Sequence, residues 1–293
     1  MHILLLGGCG YIGSALSGHL RLAGFAVDTV DLEWFGNPGN PENRRRDYRT
    51  LTVDELAPYD TIVLLAAHSS VAMANRDPGA AFANNLTGFQ ELTQKIRRDQ
   101  RLVYASSSSV YSGSGATVVD ESWSRFNVSN MYDLTKYTGD GLAGISGLDY
   151  YGLRFGTVNG ASPNLRTDLM INRMVMTAAA HGSIELFNPD IHRPILGLAD
   201  LCRAVEAIIR GPSRPGIYNL SSFTTTVGEV AEAVARCIGV EIRRGADGPA
   251  YDFSMTSEKF SAAYDFVFAE TVESIVVSLQ RLIAAGPVIG GAR

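Results

Sequence analysis

A tyrosine and a lysine four residues apart, Tyr132 and Lys136, sit at the start of a stretch with helical character. At that spacing the two side chains share one helix face. An ammonium beside a phenol stabilises the phenolate, so such a tyrosine can take a proton from a substrate hydroxyl. The chain contains only three lysines, Lys95, Lys136 and Lys259, and otherwise carries its positive charge as arginine. Arginine would not serve as well here, because its planar fork is bulkier and differently hydrated. The bland alternative is a solvated pair on an exposed helix. Upstream, Ser106-Ser107-Ser108-Ser109 follows the apolar run Leu102-Val103-Tyr104-Ala105 and supplies hydroxyls that could hold a reacting oxygen.

A second constellation opens the chain. Leu6-Gly7-Gly8-Cys9-Gly10-Tyr11-Ile12-Gly13 follows a short apolar strand and leads into a helical pattern. Glycines there admit positive φ and a close approach of pyrophosphate to the backbone, while the helix N-terminus offers N–H groups. Gly7, Gly10, Tyr11, Ile12 and Gly13 are therefore expected to line a dinucleotide. Asp31, 18 positions beyond Gly13, ends the second apolar run where a carboxylate can grip ribose hydroxyls. That carboxylate would repel a 2′-phosphate, which favours NAD over NADP. The run Arg44-Arg45-Arg46 would reopen the NADP case if it folded towards the ribose. Asp47 and Tyr48, and Leu65, Ala66 and Ala67, fall at later strand ends and complete the expected cofactor set.

These residues need a scaffold that gathers strand ends. Short continuous apolar runs at 2–6, 26–30, 61–67, 101–106 and 150–155 alternate with helical patterns at 11–23, 80–98 and 132–143. Continuous apolar strands suit a parallel sheet covered on both faces. The expected fold is therefore α/β, a Rossmann-type doubly wound sheet over residues 1–156. Residues 157–293 are expected to form a smaller interleaved substrate lobe, with 197–220 returning to the core. Helical patterns at 169–180, 198–209, 227–238 and 270–284 and a strand at 217–220 fill that half. The tail Gly286–Gly291 is expected to be mobile.

The 293 residues carry a formal net charge of −5, which speaks against a partner that is nucleic acid or anionic membrane. The N-terminus shows no basic leader and no bilayer-length apolar run. Cys9, Cys202 and Cys237 lack metal-ligand spacing and are odd in number, so reduced thiols in a cytoplasm, and no metal, are expected.

Taken together, the residues resemble the extended short-chain dehydrogenase/reductases, specifically the NAD-dependent epimerase/dehydratase group acting on nucleotide sugars. The resemblance rests on Gly7, Gly10 and Gly13, Asp31, Ala66-Ala67, Asn85-Leu86-Thr87-Gly88, the serine strand, and Tyr132 with Lys136. The interval of 25 positions from Ser107 to Tyr132 is also similar. The resemblance implies a catalytic set of Ser107, Tyr132 and Lys136. Tyr132 would be the acid/base on a sugar hydroxyl, Lys136 would hold the nicotinamide ribose, and Ser107 the reacting oxygen. It implies a nucleotide-sugar epimerase acting through a transient keto-sugar, with C4 as the reacting carbon. A net reductase or dehydrogenase on the same scaffold, and a non-catalytic dinucleotide sensor, stay open as alternatives.

Ser108 and Ser109 replace the acidic pair that members use for dehydration, so a 4,6-dehydratase is not expected. Ser108, Ser109, Thr157 and Arg193 are the expected substrate contacts, with Arg193 suited to a diphosphate and Arg166 and Arg173 as weaker candidates. Gly197 stands where members often carry His. A homodimer through the helices at 80–98 and 132–143 is also implied.

Overall fold

Ile3, Leu4, Leu5 and Leu6 are all fully buried, and so are Ile62 and Val63. Side chains alternate across a strand, so an unbroken apolar run fills two cores at once. Ile3, Leu5, Val63 and Val103 join one cluster, while Leu4, Leu6, Ile62 and Leu102 join another on the opposite face. That is the reason the runs are continuous.

The computed structural model describes residues 1–286. Its main sheet has seven strands in the order Gly216–Leu220, Asp149–Phe155, Arg101–Ser107, Thr61–Leu64, His2–Leu6, Ala26–Asp31 and Arg44–Arg45. Every neighbouring pair is parallel. From the central His2–Leu6 strand the chain steps outward twice, then crosses back to its other side at Thr61–Leu64. This reversal opens a crevice at the strands' carboxyl ends, the usual ligand position in an open α/β sheet.

The helix at Tyr11–Leu22 covers one face with Leu16 and Leu20, both fully buried. Helices at Met131–Ile145, Met170–His181, Leu198–Arg210, Val227–Ile238 and Val272–Ala284 fall within about two residues of the sequence expectation. One expected helix is interrupted. The stretch 80–98 is a helix at Pro78–Phe82, a π-turn at Ala83–Thr87 and a second helix at Gly88–Lys95. The Tyr48 hydroxyl donates to Asn84 O at 2.6 Å. A Cβ on Gly88 would lie 2.6 Å from that same hydroxyl, so the helix accommodates Tyr48 by widening a turn.

A three-stranded sheet places His192–Gly197 between Thr157–Asn159 and Phe223–Thr226. Val118–Val119 pairs with Ser254–Met255, and Ser183–Leu186 with Glu241–Arg244. From residue 287 onward the tail expectation lies outside the described residues.

Candidate active site

The Met131–Ile145 helix begins at Asn130, whose side chain accepts the Asp133 N–H at 3.0 Å and caps the first turn. One turn apart, Tyr132 and Lys136 turn the same face to the crevice. Lys136 Nζ donates to Ala105 O at 2.6 Å and lies 5.8 Å from the centre of the Tyr132 ring. Burial brings the Lys136 ammonium down to about 8, opposed by the Asp140 charge. Burial also raises the Tyr132 phenol, against which a hydrogen bond from Ser107 and the charge of Arg166 would act.

The helix is held to the sheet by a buried polar network. Asp140 accepts from Tyr104 Oη at 3.0 Å and from Arg154 Nε at 2.9 Å. Arg154 in turn donates to Tyr111 Oη at 2.5 Å, and Tyr111 donates to Asn219 Oδ1 at 2.9 Å. Both members of the Asp140–Arg154 pair are almost wholly buried. The network joins the helix to three adjacent strands and so fixes Tyr132 and Lys136 against the end of the serine strand.

The serines divide their work. Ser107 Oγ lies 2.8 Å from Ser109 Oγ and accepts the Ser109 N–H at 3.2 Å. Ser109 Oγ donates to Asp133 Oδ1 at 2.5 Å, and Ser108 Oγ donates to Phe155 O at 2.6 Å. Ser108 and Ser109 do border the crevice, but the proton of each hydroxyl is committed to the protein.

At the other end, the glycine turn packs on the switch point. Gly7 has φ +92, and a Cβ there would lie 2.4 Å from Ala66 N; a Cβ on Gly13 would lie 2.1 Å from Gly7 O. No side chain caps the helix at Gly10, and its first turn holds no acidic residue. Glycine-enforced contact and an uncapped helix end together suit a pyrophosphate. Tyr11 and Ile12 border the same cavity, about 390 Å³, but Tyr11 Oη donates away from it to Gly160 O at 2.9 Å.

Asp31, Asp47 and Tyr48 border the cavity from one flank, and Leu65, Ala66 and Ala67 from the sheet below. The Asp31 carboxylate accepts the N–H of Cys9 at 3.0 Å and of Glu33 at 2.7 Å, which holds it at the strand end. Asp47 is gripped by Arg49, which keeps its carboxyl below the usual range. Of the arginine run, Arg46 borders the cavity as well, while Arg44 and Arg45 do not. Arg44 donates to Tyr59 Oη, Arg45 lies 3.9 Å from Glu33, and Arg46 bonds Thr50 and Glu55.

The second half of the chain supplies the far wall. Thr157 and Arg193 border the cavity as expected, and Arg166 does so while bonded twice to Asp168. The Arg193 guanidinium lies 5.7 Å from the Tyr251 ring centre and 5.9 Å from that of Phe253. A Cβ on Gly197 would lie 2.4 Å from the Glu270 side chain, so that position has no room for a larger residue.

Two wall residues, and one that stands behind the wall, escape a sequence reading. Tyr251 and Phe253 follow an irregular Gly- and Pro-containing stretch with no periodicity. Asp133 was hidden beside the tyrosine, with nothing in its spacing to link it to Ser109. Asn85 had a usable signal in its Asn-Leu-Thr-Gly run. It accepts the His68 N–H at 2.8 Å and donates to Thr135 Oγ1 at 3.3 Å, tying the strand end beside Ala67 to the Met131–Ile145 helix.

Comparison with known proteins agrees with this geometry. A family model described as "NAD dependent epimerase/dehydratase family" matches residues 3–221. Protein CapI of Staphylococcus aureus is 25% identical, with 83% of this chain and 85% of that protein covered. UDP-glucuronate 4-epimerase 6 of Arabidopsis thaliana is 23% identical over 83% of this chain, which spans 62% of that longer protein. Among solved structures, MoeE5 in complex with UDP-glucuronic acid and NAD shares the fold. Its TM-score is 0.85 at 23% identity, covering 97% of this chain and 99% of that one. A sheet with this switch point, a glycine turn against it and a match across most of the chain lead to one conclusion: the chain belongs to the NAD-dependent epimerase/dehydratase family.

Proposed function

We propose that the chain is an NAD-dependent nucleotide-sugar epimerase that works through a transient keto-sugar, at C4 of the sugar. The observation that carries this reading is the convergence of Tyr132, Lys136 and Ser107 on one cavity with the glycine turn. The chemistry supplied by bound NAD is reversible uptake of a hydride from the sugar carbon. Gly7, Gly10 and Gly13 with the N-terminus of their helix would hold the pyrophosphate, and Asp31 the adenosine ribose. Asp47, Tyr48, Leu65, Ala66 and Ala67 would bound the rest of the dinucleotide. Tyr132 Oη removes the proton from the sugar hydroxyl and later returns it. Lys136 keeps positive charge beside the phenolate and would hold the nicotinamide ribose.

Arg193, backed by two aromatic rings, would take the nucleotide diphosphate, since a guanidinium matches phosphate geometry. Thr157, Ser108 and Ser109 would border the sugar. In this division of labour residues 1–156 carry the cofactor, and 157–293 mainly the substrate. UDP-glucuronate 4-epimerases recur among the relatives, which makes UDP-hexuronates the first substrates to test.

A cytoplasmic homodimer fits the observations. All three cysteines are free, and among the described residues no helix is long and apolar enough to cross a membrane. Phe82, Leu134, Tyr137 and Ile145, on the helices expected to pair, are exposed. A screen of the purified protein against UDP-, GDP-, dTDP- and CDP-sugars, read by NMR, tests the function. A new isomer without net NADH supports an epimerase. Stoichiometric NADH, or turnover only with a keto-sugar and added NAD(P)H, would move the chain to the reductase and dehydrogenase class.

A further inference from the structure

Two loops leave the sheet on either side of the His2–Leu6 strand and meet over the crevice. One follows Ala26–Asp31 and the other Thr61–Leu64, the strands that flank His2–Leu6. Trp34 from the first loop and His68 from the second lie with ring centres 5.2 Å apart and planes at 69°, an edge-to-face pair. Trp34 and Phe35 border the cavity from one side, Ser69 and Ser70 from the other, and the glycine turn borders it too. A pyrophosphate on that turn lies between the two loops, and the ring pair bridges the gap.

The bases of both loops are pinned. Asp31 accepts the Glu33 N–H at 2.7 Å, and Glu33 takes φ +58, which a residue with a side chain adopts only where its surroundings impose it. The Glu33 carboxylate accepts from Asn37 Nδ2 at 2.9 Å and from Asn43 Nδ2 at 3.0 Å. That turn delivers Trp34, half exposed, as the next residue. Asn40 Nδ2 donates to Gly8 O at 2.6 Å and fastens the loop to the glycine turn. On the opposite side Asn85 grips the His68 backbone, accepting its N–H at 2.8 Å and donating to its carbonyl at 3.2 Å. The tips meet through their rings, a weak contact beside these hydrogen bonds. Fixed bases and a weak tip contact let the rings part while the loops keep their shape.

We infer that Trp34 and His68 form a clasp over the dinucleotide, which must part for the cofactor to enter or leave. The inference rests on the reading of the cavity as an NAD site and not on the sugar chemistry. Asp31, the residue assigned to the adenosine ribose, also sets the Glu33 turn that carries Trp34. Ribose and clasp are thus held by one strand end. Such a closure suits an enzyme that returns the hydride to its substrate from the same cofactor molecule. An enzyme that exchanges cofactor at every turnover has no use for it.

Uptake and release of radiolabelled NAD, sampled by rapid filtration, test the clasp without substrate. The chains compared are the unaltered one, Trp34→Ala, His68→Ala, the double variant and Trp34→Phe. Parting an edge-to-face pair corresponds to about a 3- to 10-fold change in rate. Trp34→Ala and His68→Ala should each raise both uptake and release by about that factor, leaving affinity within about 2-fold. The double variant should be no faster than either single one, because both remove the same contact. Trp34→Phe keeps a ring and should exchange more slowly than Trp34→Ala. Unchanged rates overturn the inference. So does faster release with unaltered uptake and a matching loss of affinity, since Trp34 would then be a plain contact to the dinucleotide. Single-variant factors that multiply in the double variant overturn it as well, because the two rings would act independently. Should Trp34→Ala not fold, His68→Ala and Trp34→Phe decide the matter. Absence of turnover on every nucleotide sugar would sink the epimerase reading, and the exchange rates would still report the clasp.

Discussion

The two ends of the crevice are built from different material. At the cofactor end the walls are largely backbone: a glycine turn pressed on the Leu65–Ala66 peptide, an uncapped helix N-terminus, and strand ends fixed by parallel pairing. At the sugar end the walls are side chains, Arg193 against two rings, Thr157 on a three-residue strand, and Tyr251 and Phe253 from an irregular segment. Backbone cannot be changed without changing the fold, whereas side chains can be exchanged singly. One end should therefore be shared by proteins of different specificity, and the other should decide which sugar is accepted. Tyr132, Lys136 and the serines stand at the junction.

The sharpest way to separate the ends is Tyr132→Phe. It removes one hydroxyl and should cut turnover by about 10²- to 10⁴-fold, the range for loss of a general acid/base. NAD binding, measured by calorimetry, should persist, and a loss of both together would mean the two ends are not independent.

Next in size is Asp140→Ala, which strands Arg154 without its carboxylate partner in the buried network. Breaking a buried pair from one side costs about 3–5 kcal/mol, so denaturant unfolding should show a large drop in stability. A drop of less than about 1 kcal/mol would show that the network does not hold the catalytic helix to the sheet.

At the sugar end, Arg193→Ala should raise KM about 10- to 100-fold with little change in kcat, as expected for losing a charge-assisted contact. Cofactor affinity should not move. A shift in NAD affinity instead would assign Arg193 to the wrong end of the crevice.

The mildest probe is pH. Burial depresses Lys136 to about 8, so its ammonium is present below that value and lost above it. If the charge supports Tyr132, kcat/KM should fall as the pH rises through about 8. A flat profile from 7 to about 9 would indicate that Lys136 stays charged or that its charge is not needed.

The contrast between the ends also explains what the sequence made legible. Gly7, Asp31, Ala66 and Tyr132 could be placed because strand ends and helix starts follow from periodicity, and a parallel sheet brings them together. The break at Ala83–Thr87 could not, since it answers a tertiary contact from Tyr48. Ser108 and Ser109 were visible as hydroxyls facing a crevice, but their proton directions depend on Phe155 and Asp133, which only the folded chain brings near. Tyr251 reaches the site from more than 100 residues downstream, through a segment whose composition reads as loop.

The most direct test of the central claim is to follow deuterium at C4 of a UDP-hexuronate during turnover in ordinary water. An epimerase that takes the hydride and returns it within one crevice should deliver both epimers with deuterium retained at C4 and no free NADH. Washout of the label to solvent, or its appearance in cofactor released to solution, would contradict that mechanism.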